Sequence, residues 1–452
     1  NWIHDTAPNP PRIGEDKKVD AWVLKESRRI IDTYGHHSSF MMFCLGNEFG
    51  MGSDWNAMER IVADLREQTD TILIAGTTAR KTVDSDQYWV THNSGAGTRG
   101  LGPAHSDWDF SPAVAATDKP VISHETGQRQ SWPDYATLIP AINGPVQPHN
   151  LTRLRARAEA AGITDHRARC EASARFAHLL YKHEHEAMRR TPGLAGYQLL
   201  MLHDFTGQGE AHVGLLDPFF REKPGITLDA IRAWNGPTAP LARLKKFIWQ
   251  NDETIEVDFE LAHAGPDPLE QIEFTATLAS PDGSILFQKK LEPKKAQVGS
   301  NTPLGSLSHP LDEIKEPTKL NITVSSQSPA ISNSWPTWIY PSSPHSIFDV
   351  QSSKFDVRLS KDSLTSLAAG NTVLLSYHKA AGEQFQQTRW GSTFWTGAWG
   401  WGTGLGLMCD PDHPALAGFP NDGHSDWQWK DLAEGGTCIQ LPPEHAAKAN
   451  II

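Results

Sequence analysis

Residues 39–48 read SFMMFCLGNE, and this short stretch decides the fold. Positions 39–45 form a nearly continuous apolar run, which is typical of a β-strand buried on both faces. The run stops at Gly46, Asn47 and Glu48, so polar side chains come at the carboxyl end of the predicted strand. A strand of this kind favours a parallel sheet whose two faces are covered by helices.

Helices are predicted on both sides of this strand. Residues 19–34 place their apolar side chains near one helical face and are followed by Gly35, which favours a helix end. After the strand, Ser53 or Asp54 can cap a second helix. Its apolar positions recur at helical spacing and are Met58, Ile61, Val62 and Leu65.

The strand pattern recurs further along the chain. The later runs are 71–75 (TILIA), 88–91 (YWVT), 120–123 (PVIS) and 194–202 (LAGYQLLML), with helical stretches at 150–161 and 172–188 between the last two. Strands that alternate with helices predict an α/β fold with a parallel sheet. The interval 76–87 is too short for a crossover helix, and we interpret it as a degenerate unit.

Composition narrows the class of protein. The 452 residues include 41 Lys and Arg against 53 Asp and Glu, a formal net charge of −12, without a long block of either sign. We therefore predict no nucleic-acid partner, since binding to phosphates needs a basic face. No apolar run of about 18 residues is present, so no membrane span is predicted. The four cysteines lack metal-site or redox spacing, and no metal site is predicted.

Beyond the α/β part the pattern changes twice. In residues 254–261 apolar and acidic residues alternate, and Asp282-Gly283 is a hairpin turn signal. We predict an immunoglobulin-like β-sandwich over 236–340. After a Pro- and Ser-rich stretch, a strand, a helix at 361–369 and a second strand predict a small α/β domain over 341–452.

Two glutamates carry the chemistry. Glu48 follows the strand at 39–45, and Glu125 follows the strand at 120–123 in PVISHETGQ. In a parallel barrel the carboxyl ends of the strands form one rim, so the two side chains are expected to meet in one pocket. Hydrolysis of a glycosidic bond needs two carboxyl groups, one to protonate the leaving oxygen and one to attack or stabilise the anomeric carbon.

These residues also carry a resemblance. Leu45-Gly46-Asn47-Glu48 resembles the acid/base motif of glycoside hydrolase family 2, and Glu125-Thr126-Gly127 is similar to its nucleophile motif. The Asn-Glu pair is shared by a larger clan of barrel glycosidases, but the order of the two motifs, with two strand-like runs between them, adds to the match. The resemblance covers about residues 1–235.

The resemblance implies a (β/α)8-type barrel and a retaining exo-type hydrolase of a β-linked sugar, similar to β-galactosidases and β-glucuronidases. It implies an oligo- or polysaccharide substrate, no cofactor, and a periplasmic or secreted location; the oligomeric state is not predicted. Only about five strand candidates are present. We therefore expect an incomplete barrel in an internal fragment, and the chain end at 447–452 suggests a cut there as well.

Carried over residue by residue, the resemblance implies that Glu48 is the acid/base, Glu125 the nucleophile and Asn47 the contact to the sugar 2-hydroxyl. Weaker candidates for a sugar subsite also follow predicted strands, and for most of them simple loop hydrogen bonding is an equal alternative. They are His92, Asn93, His203, Asp204, Gln128 and Gln208. His124 precedes Glu125, and strand alternation predicts that it points away from the nucleophile.

Two other motifs and two other functions fit the sequence less well. Residues 183–186 (HEHE) do not form HExxH and are predicted to lie on a solvated helix surface. Six tryptophans in 390–429 favour core packing over a sugar-contacting surface. The main alternative to an enzyme is a non-catalytic carbohydrate-binding or scaffold protein. An amidotransferase-like role for the last domain lacks a Cys-His-Glu arrangement.

Overall fold

The computed structural model describes residues 12–49, 52–205, 211–342, 389–393 and 404–434, with positions 354–356, 362, 365, 369 and 373–375. The α-helices of these residues are α1 (Lys17–Tyr34), α2 (Trp55–Gln68), α3 (Ser111–Ala115), α4 (Tyr135–Ala141), α5 (His149–Ala160), α6 (His166–Arg190), α7 (Leu228–Asn235) and one turn at Lys430–Ala433. Short 3-10 helices lie at Pro414–Leu416 and Trp427–Trp429.

The strands fall into a first group, β1 (Met42–Gly46), β2 (Leu73–Thr77), β3 (Trp89–Thr91), β4 (Val121–Thr126) and β5 (Leu194–Leu199). A second group is β6 (Thr238–Leu244), β7 (Ile248–Gln250), β8 (Thr254–His263), β9 (Leu269–Ile272), β10 (Thr275–Ala279), β11 (Ile285–Lys290), β12 (Lys294–Ala296), β13 (Ser300–Pro310), β14 (Thr318–Gln327) and β15 (Ala330–Tyr340). The last two are β16 (Lys354–Asp356) and β17 (Val373–Leu375).

The chain forms two compact units. The first contains Asn1–Leu101, Asp109–Gly127 and Glu184–Leu200, and the second contains Gly102–Trp108, Gln128–His183 and Met201–Ile452. All five strands of the first group belong to the first unit.

In the first unit the predicted order of helix, strand, helix and strand is confirmed. The Asp54 carboxylate accepts the Asn56 N–H and caps α2. β1 and β2 pair in parallel, with Met42 opposite Leu73 and Gly46 opposite Thr77. The apolar face of each helix packs into a buried core around these strands, which includes Val23, Ile31, Met58, Val62, Leu65, Leu45 and Ile74.

The degenerate interval between β2 and β3 contains no helix, and it separates two sheets. The edge of β2 that faces away from β1 offers the N–H groups of Ile74 and Gly76. Two side chains accept these hydrogen bonds. The Gln87 amide oxygen accepts the Ile74 N–H at 2.9 Å, and the Asp86 carboxylate accepts the Gly76 N–H at 2.7 Å. β3 consequently joins the parallel sheet β3-β4-β5 rather than β2. In the part of the chain that the structure describes, these five strands form no closed barrel.

Strand β5 differs from its prediction. It pairs with β4 in parallel, but it is half-exposed rather than buried, with Ala195 and Gln198 exposed. The reason is its position, since among the described residues no strand pairs with its other side. The predicted run also extended to residue 202, whereas the strand ends at Leu199.

In the second unit the predicted change to antiparallel strands is confirmed. In β8, Ile255, Val257 and Phe259 are buried while Glu256 and Asp258 are exposed, as a strand with one covered face requires. The Asp282-Gly283 turn joins β10 and β11, and Gly283 has a φ of 90° that glycine adopts without strain.

These strands form two main sheets, β13-β8-β6 and β11-β10-β14-β15-β7. All neighbours are antiparallel except β15 and β7. The sheets contact each other where the Phe259 ring of β8 lies 6.4 Å from the Trp335 ring of β15. A buried hydrogen bond from the Asn333 amide to the Pro240 carbonyl joins β15 to β6.

The C-terminal part is described only in segments. β16 and β17 pair in parallel, as the strand, helix and strand pattern predicts, and the helix predicted at 361–369 lies largely outside the described residues. Trp390 and Trp427 are buried with ring centroids 6.2 Å apart, so these two serve core packing. Trp395, Trp399 and Trp401 lie outside the described residues.

None of the helices in the described ranges is both long and apolar enough to cross a membrane.

Candidate active site

Three strand ends of the first unit bring the main candidates together. β1 ends at Gly46, directly before Asn47 and Glu48, and β3 ends directly before His92. β4 carries Glu125 next to its last residue. One ligand atom from each of Glu48, His92, His124 and Glu125 lies within 4.8 Å of the other three. The two carboxylates, remote in sequence, are therefore neighbours in space.

Both glutamates have left-handed backbone, with φ of 57° at Glu48 and 48° at Glu125. Such a conformation costs a residue with a side chain about 1–3 kcal/mol and is found where the surroundings enforce it, often at functional sites. At Glu48 the enforcing contacts come from the end of β2. The Thr78 hydroxyl accepts the Glu48 N–H at 3.1 Å, and the Thr77 hydroxyl accepts the Phe49 N–H at 2.8 Å.

The Glu48 carboxylate lies between an imidazole and a guanidinium. Its Oε1 is 3.1 Å from His92 Nε2, and its Oε2 is 3.6 Å from Arg80 Nη2. The hydrogen bond from His92, reinforced by the charges of His92 and Arg80, outweighs burial and lowers the pKa of Glu48 to about 2. The side chain keeps 16% of its surface exposed, so a ligand can reach it.

Glu125 has a matching pair of neighbours. Its Oε1 is 3.4 Å from His124 Nε2 and its Oε2 is 3.7 Å from Arg99 Nη1. The same Arg99 nitrogen donates to the carbonyl oxygens of His124 and Glu125, at 2.7 and 2.8 Å. The guanidinium of Arg99 thus stabilises the left-handed backbone at Glu125 and also faces the Glu125 carboxylate.

The prediction that His124 points away from Glu125 is wrong. Strand alternation places neighbours on opposite faces only while the backbone stays extended, and Glu125 leaves the extended region. The His124 ring is buried, its Nδ1 lies 2.9 Å from the Gln198 amide oxygen, and its centroid is 5.0 Å from that of His92. Burial, only partly offset by the Gln198 contact, lowers the pKa of His124 to about 4.

Asn47 is buried beside Glu48. The Thr78 hydroxyl donates to its amide oxygen at 2.6 Å and so fixes the orientation of the amide. Thr78 therefore contacts both Asn47 and the backbone of Glu48. Asn93, in contrast, is exposed and accepts the Gly95 N–H in a loop turn, the alternative weighed for it from the sequence.

The other candidates belong to the second unit. Gln128 is buried there, and the His203 ring stacks on Phe220 at 4.3 Å. Asp204 is buried and accepts from Lys223 Nζ at 2.7 Å; burial alone would raise its pKa, but Lys223 and His212 lower it below the usual range. Asp204 also lines a cavity with Trp132, Asp217 and Arg221. Gln208 lies outside the described residues.

The prediction of a solvated surface for residues 183–186 is wrong, since all four side chains are buried. Glu184 accepts the Gly100 N–H at 2.7 Å, next to Arg99, and His185 Nε2 lies 2.9 Å from the Thr126 hydroxyl, next to Glu125. Glu186 lies 3.7 Å from Arg190. In the second unit His183 Nε2 lies 3.0 Å from the Pro103 carbonyl oxygen, among aromatic rings.

Sequence reasoning missed Arg80, Arg99 and Thr78. Thr78 and Arg80 come directly after β2, and the other candidates were chosen for the same kind of position. The end of the predicted strand at 71–75 could therefore have indicated them. Arg99 lies in the loop after β3 and contacts Glu125 only through tertiary structure.

Comparisons with known proteins gave three results. Family models match residues 253–341 (domain of unknown function, DUF8488) and 356–451 (domain of unknown function, DUF8487). The search of curated proteins found no match. Solved structures with a similar chain course are glycosidases at low identity.

The exo-chitosanase of Amycolatopsis orientalis is 12% identical with a TM-score of 0.43, over 73% of this chain and 39% of that one. An FMN-binding β-glucuronidase from Facaelibacterium prausnitzii is 12% identical with a TM-score of 0.34, over 73% and 46%. A β-glucuronidase of Parabacteroides merdae is 12% identical with a TM-score of 0.33, over 73% and 41%. The chain thus spans less than half the length of each.

Proposed function

We propose that the chain carries the catalytic centre of a retaining, exo-type glycoside hydrolase of the family 2 kind that cleaves a β-linked sugar from an oligo- or polysaccharide. The observation that supports it is the closeness of two partly exposed carboxylates, Glu48 and Glu125, with ligand oxygens within 4.8 Å. Retaining enzymes hold their carboxyl groups about 5–5.5 Å apart, whereas inverting enzymes need roughly 6.5–9.5 Å to admit a water.

In the proposed first step, an oxygen of ionised Glu125 attacks the anomeric carbon, and the bond to the leaving oxygen breaks as that oxygen takes a proton from Glu48. In the second step, ionised Glu48 removes a proton from water, the water oxygen bonds to the anomeric carbon, and Glu125 leaves with its electron pair. Arg99 faces Glu125 Oε2 at 3.7 Å with a positive charge.

The acid role of Glu48 requires a proton that the free protein does not hold there at neutral pH, because its pKa is about 2. The hydrogen bond from His92, 3.1 Å long, is the largest cause of this low pKa. A bound sugar that displaces water and loosens this hydrogen bond raises the pKa of Glu48 and so its affinity for a proton.

The proposal extends to residues around the pair. Asn47, oriented by Thr78, is assigned the contact to the sugar 2-hydroxyl. His92, which hydrogen-bonds Glu48, is proposed to serve the proton transfer. His203, Asp204 and Gln128 stay candidates for a sugar contact within the second unit. The domain division at 235/236 and 340/341, the (β/α)8-type barrel and the immunoglobulin-like sandwich belong to the same proposal. The five parallel strands and the two antiparallel sheets support it.

The test is hydrolysis of a panel of aryl β-glycosides. Glu125→Gln is expected to abolish turnover, because the amide cannot act as the nucleophile. Glu48→Ala is expected to lose about 10²–10⁴-fold on poor leaving groups and much less on dinitrophenyl glycosides, which leave without a proton. Glu67→Gln, an exposed position on α2, is the matched control. Full activity of Glu125→Gln would refute the assignment, and sugar binding without hydrolysis would favour a carbohydrate-binding protein.

A further inference from the structure

The cluster at the strand ends contains more than two carboxylates. Glu48, His92, His124 and Glu125 each turn one nitrogen or oxygen toward the others, all within 4.8 Å. We propose that these four side chains form a zinc site, in which one Zn²⁺ binds between the two glutamates and the two histidines. The four residues come from the ends of three separate strands. The sequence therefore contains no short metal-binding motif that would predict the site.

The distances fit the coordination of zinc. Zn²⁺ binds imidazole nitrogen at about 2.0–2.1 Å and carboxylate oxygen at about 2.0–2.2 Å in a tetrahedron, whose ligand atoms are then about 3.3 Å apart. His92 Nε2 lies 3.1 Å from Glu48 Oε1, and His124 Nε2 lies 3.4 Å from Glu125 Oε1. Two ligand pairs thus have the spacing of tetrahedral edges already.

His124 is the second, independent observation. Its side chain is 2% exposed, and its buried Nε2 makes no hydrogen bond to any described residue. Buried polar atoms normally have a partner, so this nitrogen points to a ligand in the cluster. The other ring nitrogen lies 2.9 Å from the Gln198 amide oxygen, the outer contact that orients metal-binding histidines.

The arginines contact the outer oxygens of the two glutamates. Each glutamate directs Oε1 to a histidine and Oε2 to an arginine, at 3.6 Å for Arg80 and 3.7 Å for Arg99. Their positive charges oppose a cation, so the affinity is lower than it would be without them. Arg80 is 45% exposed and can turn away into solvent when the metal binds.

Zinc and a glycoside exclude each other at this site, because the metal occupies the oxygens that the proposed reaction uses. Zinc is therefore an inhibitor of the proposed hydrolase. This inhibition rests on the proposed function, whereas the binding itself rests only on the four side chains.

The binding test is calorimetric titration of the full chain with ZnCl2 after treatment with EDTA and desalting. One site per chain is expected, weakened about tenfold or more in His124→Asn and in His92→Asn, since each loses a ligand. His36→Asn is the matched control, because His36 and His37 form an exposed pair, 4.1 Å between centroids, that binds metal adventitiously if any pair does.

The His124→Asn variant changes a buried side chain and can fail to fold. Thermal unfolding of the wild type and of His92→Asn then provides a second test. ZnCl2 is expected to raise the melting temperature of the wild type, and not of His92→Asn, whose side chain is 30% exposed. Unchanged zinc affinity in the variants of the cluster, or loss of the site in His36→Asn, overturns the proposal.

Activity separates the two proposals. With aryl β-glycosides, hydrolysis in EDTA that falls on addition of ZnCl2 supports both the site and the inhibition. Hydrolysis that ZnCl2 leaves unchanged, in a chain that binds no zinc, overturns the zinc site and leaves the hydrolase. Zinc binding without hydrolysis in EDTA overturns the hydrolase and leaves the zinc site.

Discussion

The carboxylate of Glu48 has an imidazole on one oxygen and a guanidinium on the other, and the carboxylate of Glu125 has the same pair. The two guanidinium groups, together with the hydrogen bond from His92 to Glu48, stabilise two negative charges at close range, where two bare carboxylates would repel each other and one would take up a proton. The protonation of Glu48 consequently depends on the side chains beside it, His92 and Arg80.

The hydrogen bond from His92 is the largest cause of the low pKa of Glu48. Replacement His92→Phe keeps a ring and removes the donor, so the pKa of Glu48 is expected to rise from about 2 toward its ordinary value of 4.5. Carbon NMR titration of the glutamate carboxyls measures it, with Glu48→Gln to assign the signal and His36→Phe as the control. An unchanged midpoint for Glu48 would show that His92 does not set it.

At the scale of elements, periodicity predicts what lies within one helix or strand. The strand at 39–45 and the helix that Asp54 caps were predictable because their signals are local. The separation of β2 from β3 was not predictable. Asp86 and Gln87 accept the N–H groups of β2 that a neighbouring strand would otherwise take, and this contact exists only in the folded chain. Likewise the sequence singled out Glu48 and Glu125, which lie at strand ends, but not Arg99, which lies in the loop after β3.

Helix α6 shows the same limit. A run of four charged or polar residues normally predicts a solvated surface, yet Glu184 and His185 are buried, with partners in the loop after β3 and at the end of β4. Those partners adjoin Arg99 and Glu125, so this part of α6 supports the backbone next to Glu125. Buried polar residues of this kind are visible only in three dimensions.

Replacement Glu184→Leu leaves the Gly100 N–H without its acceptor. A loss of about 1–3 kcal/mol in the free energy of unfolding is expected, measured by urea denaturation. Glu184→Gln keeps an oxygen acceptor and should recover much of the loss. On the same helix Glu171, which pairs with Arg175 at the surface, is the matched control, and Glu171→Leu should change stability by less than about 0.5 kcal/mol. Equal losses at both positions would contradict this role of Glu184.

At the scale of the whole molecule, carboxyl groups shift in opposite directions. Burial raises the pKa of Asp426 to about 7 and that of Asp86 to about 6, both against backbone hydrogen bonds that lower them, while Glu48 lies at about 2. The folded state binds more protons than the unfolded state at the first two sites and fewer at the third. Glu48 therefore increases the free energy of unfolding as the pH rises from about 2 to 4.5. Asp86 and Asp426 decrease it as the pH rises from about 4 to their folded pKa values of about 6 and about 7.

Asp426→Asn isolates one of these groups. Since its folded pKa lies above the unfolded one near 3.8, the wild type should lose stability relative to the variant between about pH 4 and pH 7, by at most about 1.4 kcal/mol per pH unit. Urea unfolding at pH 4.5 and pH 8 measures the difference. The exposed neighbour in Asp431→Asn should give a pH-independent offset, and the same flat offset for Asp426→Asn would refute the sign.

The side chains at the edge of β2 that faces away from β1 also decide where this sheet stops. A strand with free N–H groups offers a row of donors to a further strand. Gln87 and Asp86 already occupy those groups at Ile74 and Gly76, so a further strand finds no donors there. Because Ile74 and Gly76 are buried, two polar side chains thereby end the sheet inside the unit rather than at its surface.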